Sequence, residues 1–288
     1  MNILKHKNIY FIISAVIILV GIIGYIAFGG LNFGLDFKGG TEIRMNIGKD
    51  FNNDEIANIV KEKAEISSPV IQKAGTSEVS IKTEEIDTAK RDAVVEAIKE
   101  KYELDDSALL EATNVSASAS TKLLTDALRA ILLAVLCMLI YITIRFDFKS
   151  GLAAILGLAH NVLIMIAIYA VFRLQINSTF VAAILTIVGY SINNTIVIFD
   201  KIRENKKLSR KVPFEEVSNA ALNQVFTRTV YASITTLLTI TTLYIMGIDS
   251  IREFSLPIII GVLVGSYSSI CIATPLWVVL NDKLKKRA

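Results

Sequence analysis

Five stretches of this chain, residues 9–28, 152–170, 180–199, 230–248 and 256–280, run without a single Asp, Glu, Lys or Arg. Uncharged apolar runs of roughly 18 or more residues are membrane-span candidates, because a helix that long crosses the hydrocarbon layer with its backbone bonds satisfied internally. A shorter run at 130–144 reads as a further span whose helix begins earlier, near Thr121, which makes six. The composition agrees: hydrophobic residues make up 53% of the chain and mean hydropathy is +0.54. The first run follows Lys5 and Lys7, but its apolar core exceeds the length of a secretory leader and no small-x-small cleavage site follows. It reads as a retained span.

Orientation follows from the basic residues of the short loops. One side collects Lys5 and Lys7, then Arg145 and Lys149, then Lys201, Arg203, Lys206, Lys207, Arg210 and Lys211, and finally Lys283, Lys285, Lys286 and Arg287. The short loops of the other side hold Arg173 and Arg252. Both termini are therefore expected in the cytoplasm, in a multi-pass protein of the cytoplasmic membrane. The net charge of +3 reflects this asymmetry and does not point to nucleic acid. Trp277, near the cytoplasmic end of the last run, reads as an interfacial anchor in the lipid bilayer. Cys137 and Cys271 lie inside spans and read as small packing residues. With His6 and His160 the only histidines, no metal constellation forms, and no cofactor is expected.

Three domains are expected: 1–28, the N-terminus with the first span; 29–120, an extracytoplasmic domain; and 121–288, five spans with a cytoplasmic connector at 200–228 and a basic tail. In the polar insert, TEIRMNI (41–47) alternates like a strand, PVIQKA (69–74) and EVSIKT (78–83) supply two more around a turn at 75–77, and SALLEATNVSA (107–117) supplies the fourth. Helical spacing gathers Ile56, Ile59, Val60 and Ala64 on one face of 53–64, and Val94, Val95 and Ile98 on one face of 87–102. The order is strand, helix, strand, strand, helix, strand. That is a split βαβ, ferredoxin-like domain.

GLDFKGGT (34–41) comes close to a phosphate-binding loop, but Gly40 stands where the lysine belongs, so the cation for the phosphates is missing. The stretch reads instead as a glycine connection that needs unusual backbone angles. No G-x-S-x-G, H-E-x-x-H or G-x-G-x-x-G occurs elsewhere. The chain does not read as an enzyme.

One span, an extracytoplasmic domain and five more spans is the layout of a half-unit in the RND superfamily. Four motifs carry a closer resemblance: LNFGLDFKGGTEI (31–43), RFDFKSGLAAILGLAHNVLI (145–164), VGYSINNTIVIFDKIREN (188–205) and NQVFTRTV (223–230). In order and spacing the chain resembles the SecF family of protein-export subunits, and the resemblance covers essentially its whole length. It implies an RND half-unit membrane bundle (1+5) of six helices with the ferredoxin-like domain between the first two. It also implies a SecD-like subunit and the SecYEG channel as partners. The implied task is to help draw a translocating polypeptide across the membrane after the ATPase SecA has pushed it, using the ion gradient. The family segment after the first span maps onto Gly34, Asp36, Phe37, Gly39 and Gly40.

The chain departs from the family at two points. Family members read His-Asp where this chain has His160-Asn161, and Asn-Asp where it has Asn193-Asn194. Both membrane carboxylates, candidates for proton transfer, are amides here. His160 reads equally as a relay group or as a satisfied interhelical hydrogen-bonder. Asn161 and Asn194 read as packing groups. Arg228 is balanced between snorkelling to the interface and a place in an ion path, and Asp200 is expected at the interface. Thr235, Thr239 and Thr242 are expected to bond back to their own helix. Gly261 and Gly265, with Ser269 a turn on, form a flat strip for contact within the chain. PFEEVSNAALNQVF (213–226) reads as an amphipathic helix lying along the inner interface. Two other functions compete. A stand-alone small-molecule exporter of RND type requires larger, paired insert domains than this one. An intramembrane hydrolase requires carboxylate, Ser/His or metal groups at depth, and the amides remove the carboxylates.

Overall fold

The computed structural model describes residues 2–285 apart from 67–68, 75–76 and 210. Most of the turn expected at 75–77 and the end of the basic tail at 286–288 therefore lie outside the described residues, as does Arg210. The chain forms two compact units: Met1–Asn32 with Ala127–Ala288, and Phe33–Asp126.

The smaller unit begins with a single helical turn, α2 (Leu35–Lys38), and continues as β1 (Gly40–Asn46), α3 (Asn53–Ala64), β2 (Val70–Ala74), β3 (Glu78–Thr83), α4 (Thr88–Tyr102) and β4 (Leu109–Val115). The strands form one antiparallel sheet in the order β2-β3-β1-β4. This is the ferredoxin-like order expected from the alternation of elements. Register places Ile43 opposite Ile81 and Met45 opposite Val79. Their period-2 alternation sends all four to one face, where Ile56 and Val60 of α3 and Val94 and Ile98 of α4 close over them. Both helices start on side-chain caps. Asn52 accepts from the Asp54 amide and Asp87 from the Lys90 amide, each satisfying an otherwise orphaned N–H.

The larger unit holds the long helices: α1 (Lys7–Ala27), α5 (Ala117–Arg145, from Ala127 on), α6 (Phe148–Val171), α7 (Ser178–Leu208), α8 (Phe214–Met246), α9 (Asp249–Ser268) and α10 (Thr274–Lys285). A π-helical turn, Ser269–Ala273, joins α9 to α10 into one span, so among the described residues six helical segments are long and apolar enough to cross a membrane. α1 packs on α6, and α9 packs against α6, α7 and α8. The contacts are made close by small residues. A Cβ on Gly21 would collide with Ala167 of α6, and one on Gly261 with the Ile187 side chain of α7. The same atom on Gly265 would come within 3.2 Å of Ser191. The Gly261/Gly265 strip thus serves contact within the chain, where neighbouring backbones approach without an aqueous hydrophobic drive. α1, α5 and α8 are the least covered of the long helices, and α5 leaves Leu128, Leu132, Leu133 and Ile144 well over half exposed.

Three expectations are corrected. The segment 213–226 does not lie apart along the interface. It forms the first turns of α8, with Val217, Ala221 and Leu222 buried within the unit, because its apolar face finds protein rather than lipid to cover it. Trp277 is buried between Phe199 and Phe214, at ring-centroid distances of 4.5 and 5.3 Å, and is not a lipid-facing anchor. Cys137 is exposed on α5 instead of packed.

Candidate functional site

Where α1, α6, α7 and α9 meet, the packed interior carries a seam of polar side chains without formal acids. Ser14, His160, Asn161, Ser191, Asn194, Thr195, Ser268 and Ser269 are all buried. His160 Nε2 lies 2.8 Å from Ser14 Oγ and its Nδ1 lies 3.2 Å from Ser268 Oγ. Ser14 Oγ continues to the Tyr267 hydroxyl at 3.3 Å, which donates to the Tyr10 carbonyl, while Ser268 donates to the Gly157 carbonyl. Tyr267, Ser14, neutral His160 and Ser268 bring four hydrogens to these five contacts, so the line is one donor short and its hydroxyls must share. His160 is bonded at both ring nitrogens and bridges α1, α6 and α9.

A second branch joins α6, α7 and α9. Asn161 Nδ2 donates to Ser191 Oγ at 2.6 Å, and Thr195 Oγ1 lies 2.9 Å from Ser269 Oγ. Ser269 begins the π-helical turn, and Thr274 reaches back across that turn to the Ser269 carbonyl. Hydroxyls thus take up backbone carbonyls that the widened turn releases. Among the described residues of this branch, two buried amide atoms find no hydrogen-bond partner, Asn161 Oδ1 and Asn194 Nδ2.

The adjacent amides divide between two environments. Asn194 is buried, but Asn193, a helical step of about 100° away, is exposed. Arg228 is exposed too. Asp200 sits at the end of the bundle, where its carboxylate pairs with Arg145 at 3.3 Å. The structure therefore gathers His160, Asn161 and Asn194 into one seam and leaves Asn193, Asp200 and Arg228 outside it. Thr235, Thr239 and Thr242 bond back to carbonyls of their own helix, as the spacing predicts. Ser14 and Ser191 join the seam without having been expected there. A signal existed for Ser14, the lone serine of an otherwise unbroken first span.

The glycine motif belongs to the smaller unit and is a matter of backbone geometry. The Gly34 carbonyl accepts from the Phe37 and Lys38 amides to close the α2 turn, with Asp36 and Phe37 within it. Gly39 and Gly40 adopt φ of +75° and +130°, and a Cβ on Gly40 would collide with the Thr83 carbonyl. Only glycine fits there. Among the described residues no group of three His, Cys, Asp or Glu is placed to hold a metal.

One apolar span, an antiparallel α+β unit and five further spans around a neutral seam define a multi-pass membrane protein of the RND half-unit type. The family described as "Protein export membrane protein SecD/SecF, C-terminal" matches residues 94–283, and the "SecD/SecF GG Motif" matches 24–50. The chain belongs to the SecD/SecF family of protein-export membrane proteins. It is 38% identical to the protein translocase subunit SecF of Sebaldella termitidis, over 99% of this chain and 93% of that protein. Against the SecF of Borreliella burgdorferi it is 36% identical, over 99% and 98%. The crystal structure of SecDF from Thermus thermophilus, a translocon-associated membrane protein, superposes with a TM-score of 0.86 at 31% identity. That match covers all of this chain and 39% of the larger one.

Proposed function

We propose that the chain is an auxiliary subunit of the Sec protein translocase, assisting export across the cytoplasmic membrane as one half of a bundle completed by a SecD-type subunit. One structural observation carries this reading: the half-bundle leaves polar and apolar membrane surface uncovered. α5 exposes most of its apolar length, while Asn193 and Arg228, on helices long and apolar enough to cross a membrane, are exposed as well. An uncovered amide in hydrocarbon is costly, so Asn193 calls for protein or water against it. The SecDF relative is a longer chain, of which this chain matches 39%.

In this reading residues 1–28 and 121–288 form the membrane part and 29–120 an extracytoplasmic domain that handles emerging polypeptide. The basic loops, both termini included, face the cytoplasm, and SecYEG is the channel served. The chain performs no catalysis. The neutral seam makes it a scaffold, with gradient coupling resting on a membrane carboxylate of the partner and with His160 and Arg228 in supporting places.

Mild-detergent extraction tests the assignment. A stable complex with a SecD-type subunit, together with slowed export when residues 41–117 are deleted, is expected. A homogeneous monomer that sustains export by itself would overturn it.

A further inference from the structure

We infer that the basic end of the bundle holds a binding site for the headgroup of an anionic phospholipid. A cavity of about 480 Å³ opens between the α5–α6 connection, the end of α7, the start of α8 and α10. Three of its lining residues, Arg203, Lys206 and Lys207, stand at helical positions i, i+3 and i+4, which turns three cations to one face of α7. Phe146, Phe214 and Trp277 form the apolar side of the cavity.

The placement of each group fits a phosphodiester on a glycerol. Arg203 is held over the Phe146 ring at 5.9 Å, with a guanidinium N–H on the Arg145 carbonyl at 3.0 Å, so its charge is positioned before any ligand arrives. Lys206 donates to the Val212 carbonyl at 2.8 Å, and Lys207 is exposed. Asp147, the one acid among the described lining residues, is committed to the α6 capping box, where it accepts from the Ser150 amide at 2.7 Å. Among the described lining residues, three positive charges stand against one negative charge. Basic pockets of this kind between membrane helices recognise anionic headgroups.

The surface beside the cavity separates a lipid from a free phosphate. Ile144 and Phe148, two residues either side of Phe146, are 81% and 64% exposed. They continue the apolar wall along the outside of the bundle, where an acyl chain can lie while the phosphate meets the cations. A soluble phosphate has no use for that wall.

Trp277 is the only tryptophan of the chain and lines the cavity, so it serves as a built-in reporter. The full chain is reconstituted in phosphatidylcholine vesicles containing increasing fractions of phosphatidylglycerol brominated on its acyl chains, and Trp277 quenching is followed. Half-maximal quenching is expected at a roughly ten-fold lower mole fraction of brominated phosphatidylglycerol than of brominated phosphatidylcholine. R203Q/K207Q should erase that preference while leaving quenching by brominated phosphatidylcholine unchanged, and K207R should retain it. Equal quenching by the two lipids in the unaltered protein would overturn the proposal without reference to any variant. So would a preference that survives in R203Q/K207Q. Loss of the preference on adding millimolar glycerol 3-phosphate at constant ionic strength would assign the site to a soluble phosphate instead.

Discussion

The two units bury their interiors by different physics. In the α+β unit the core is Ile43, Met45, Ile56, Val60, Ile81, Val94 and Ile98, with large side chains throughout. In the bundle the close contacts run through Gly21, Gly157, Gly261 and Gly265, and the interior accepts His160, two amides and a row of hydroxyls. Water drives the first arrangement, since each buried apolar side chain is removed from solvent. Lipid offers no such gain, because a leucine is as well solvated by acyl chains as by protein. Helices there associate by close fit and by polar groups that hydrocarbon cannot satisfy. One chain therefore holds a core made by filling volume and another in which large buried side chains such as Phe199 and Met165 are joined by helix contacts that depend on glycine.

The largest effect should come from emptying the filled core. Ile81→Ala is expected to cost the α+β unit about 3 kcal/mol, read as lost hydrogen-exchange protection in β1 and β3. Filling the emptied core is the complementary test. Gly21→Leu drives a side chain into Ala167 of α6 and should cost about 2 kcal/mol, seen as a lowered Tm in detergent. A more stable Gly21→Leu protein would mean that the bundle packs like a soluble core, and the contrast would fail.

Polar groups of the seam sharpen the comparison on a smaller scale. Asn161→Ala removes the bond to Ser191 and should cost about 0.6 kcal/mol. Asn194→Ala deletes a nitrogen that bonds nothing and should cost less. In reconstituted export with the partner, Asn194→Ala should leave the gradient dependence intact, and neutralising the partner's membrane carboxylate should remove it. If Asn194→Ala alone removed it with assembly preserved, the seam would belong to the ion path and would not be scaffold.

Smallest of all is a pH effect confined to the α+β unit. The Lys73 ammonium bonded to Asp50, and that of Lys90 bonded to Glu65, hold these carboxyls below their ordinary range; the Ser107 hydroxyl and amide do the same for Asp105. Depressed carboxyls contribute stability that is present above their unfolded values and is lost as pH falls through the folded ones. Acidification below the normal carboxylate range should therefore modestly raise exchange near these three sites. These groups are solvent-exposed, so added salt should shrink the effect.

The legible parts of the fold were those set by local spacing. Six spans, the βαββαβ order and the helix over Asn53–Ala64 follow from run length and from periods of 2 and 3.6. The glycine motif was legible as a backbone requirement, because Gly40 in the lysine position already excluded the phosphate reading. Of the site, His160 and the asparagines stood out because polar groups in apolar runs are rare. Ser14 and Ser191 did not, because a serine can also satisfy itself on its own helix.

By itself the sequence determined how many times the chain crosses the membrane, which loops carry the positive charge, and that two expected membrane carboxylates are amides. Those are matters of composition along a line. Tertiary structure alone decided that Asn194 turns inward while Asn193 turns outward, that His160 is bonded at both nitrogens, that α8 begins at Phe214, and that Trp277 is enclosed by Phe199 and Phe214. The reason is rotational. A soluble helix declares its inner face by an apolar stripe, but a helix apolar on every side has no such stripe. Its rotation about its own axis is set only by the glycines and hydroxyls of the helices packed against it.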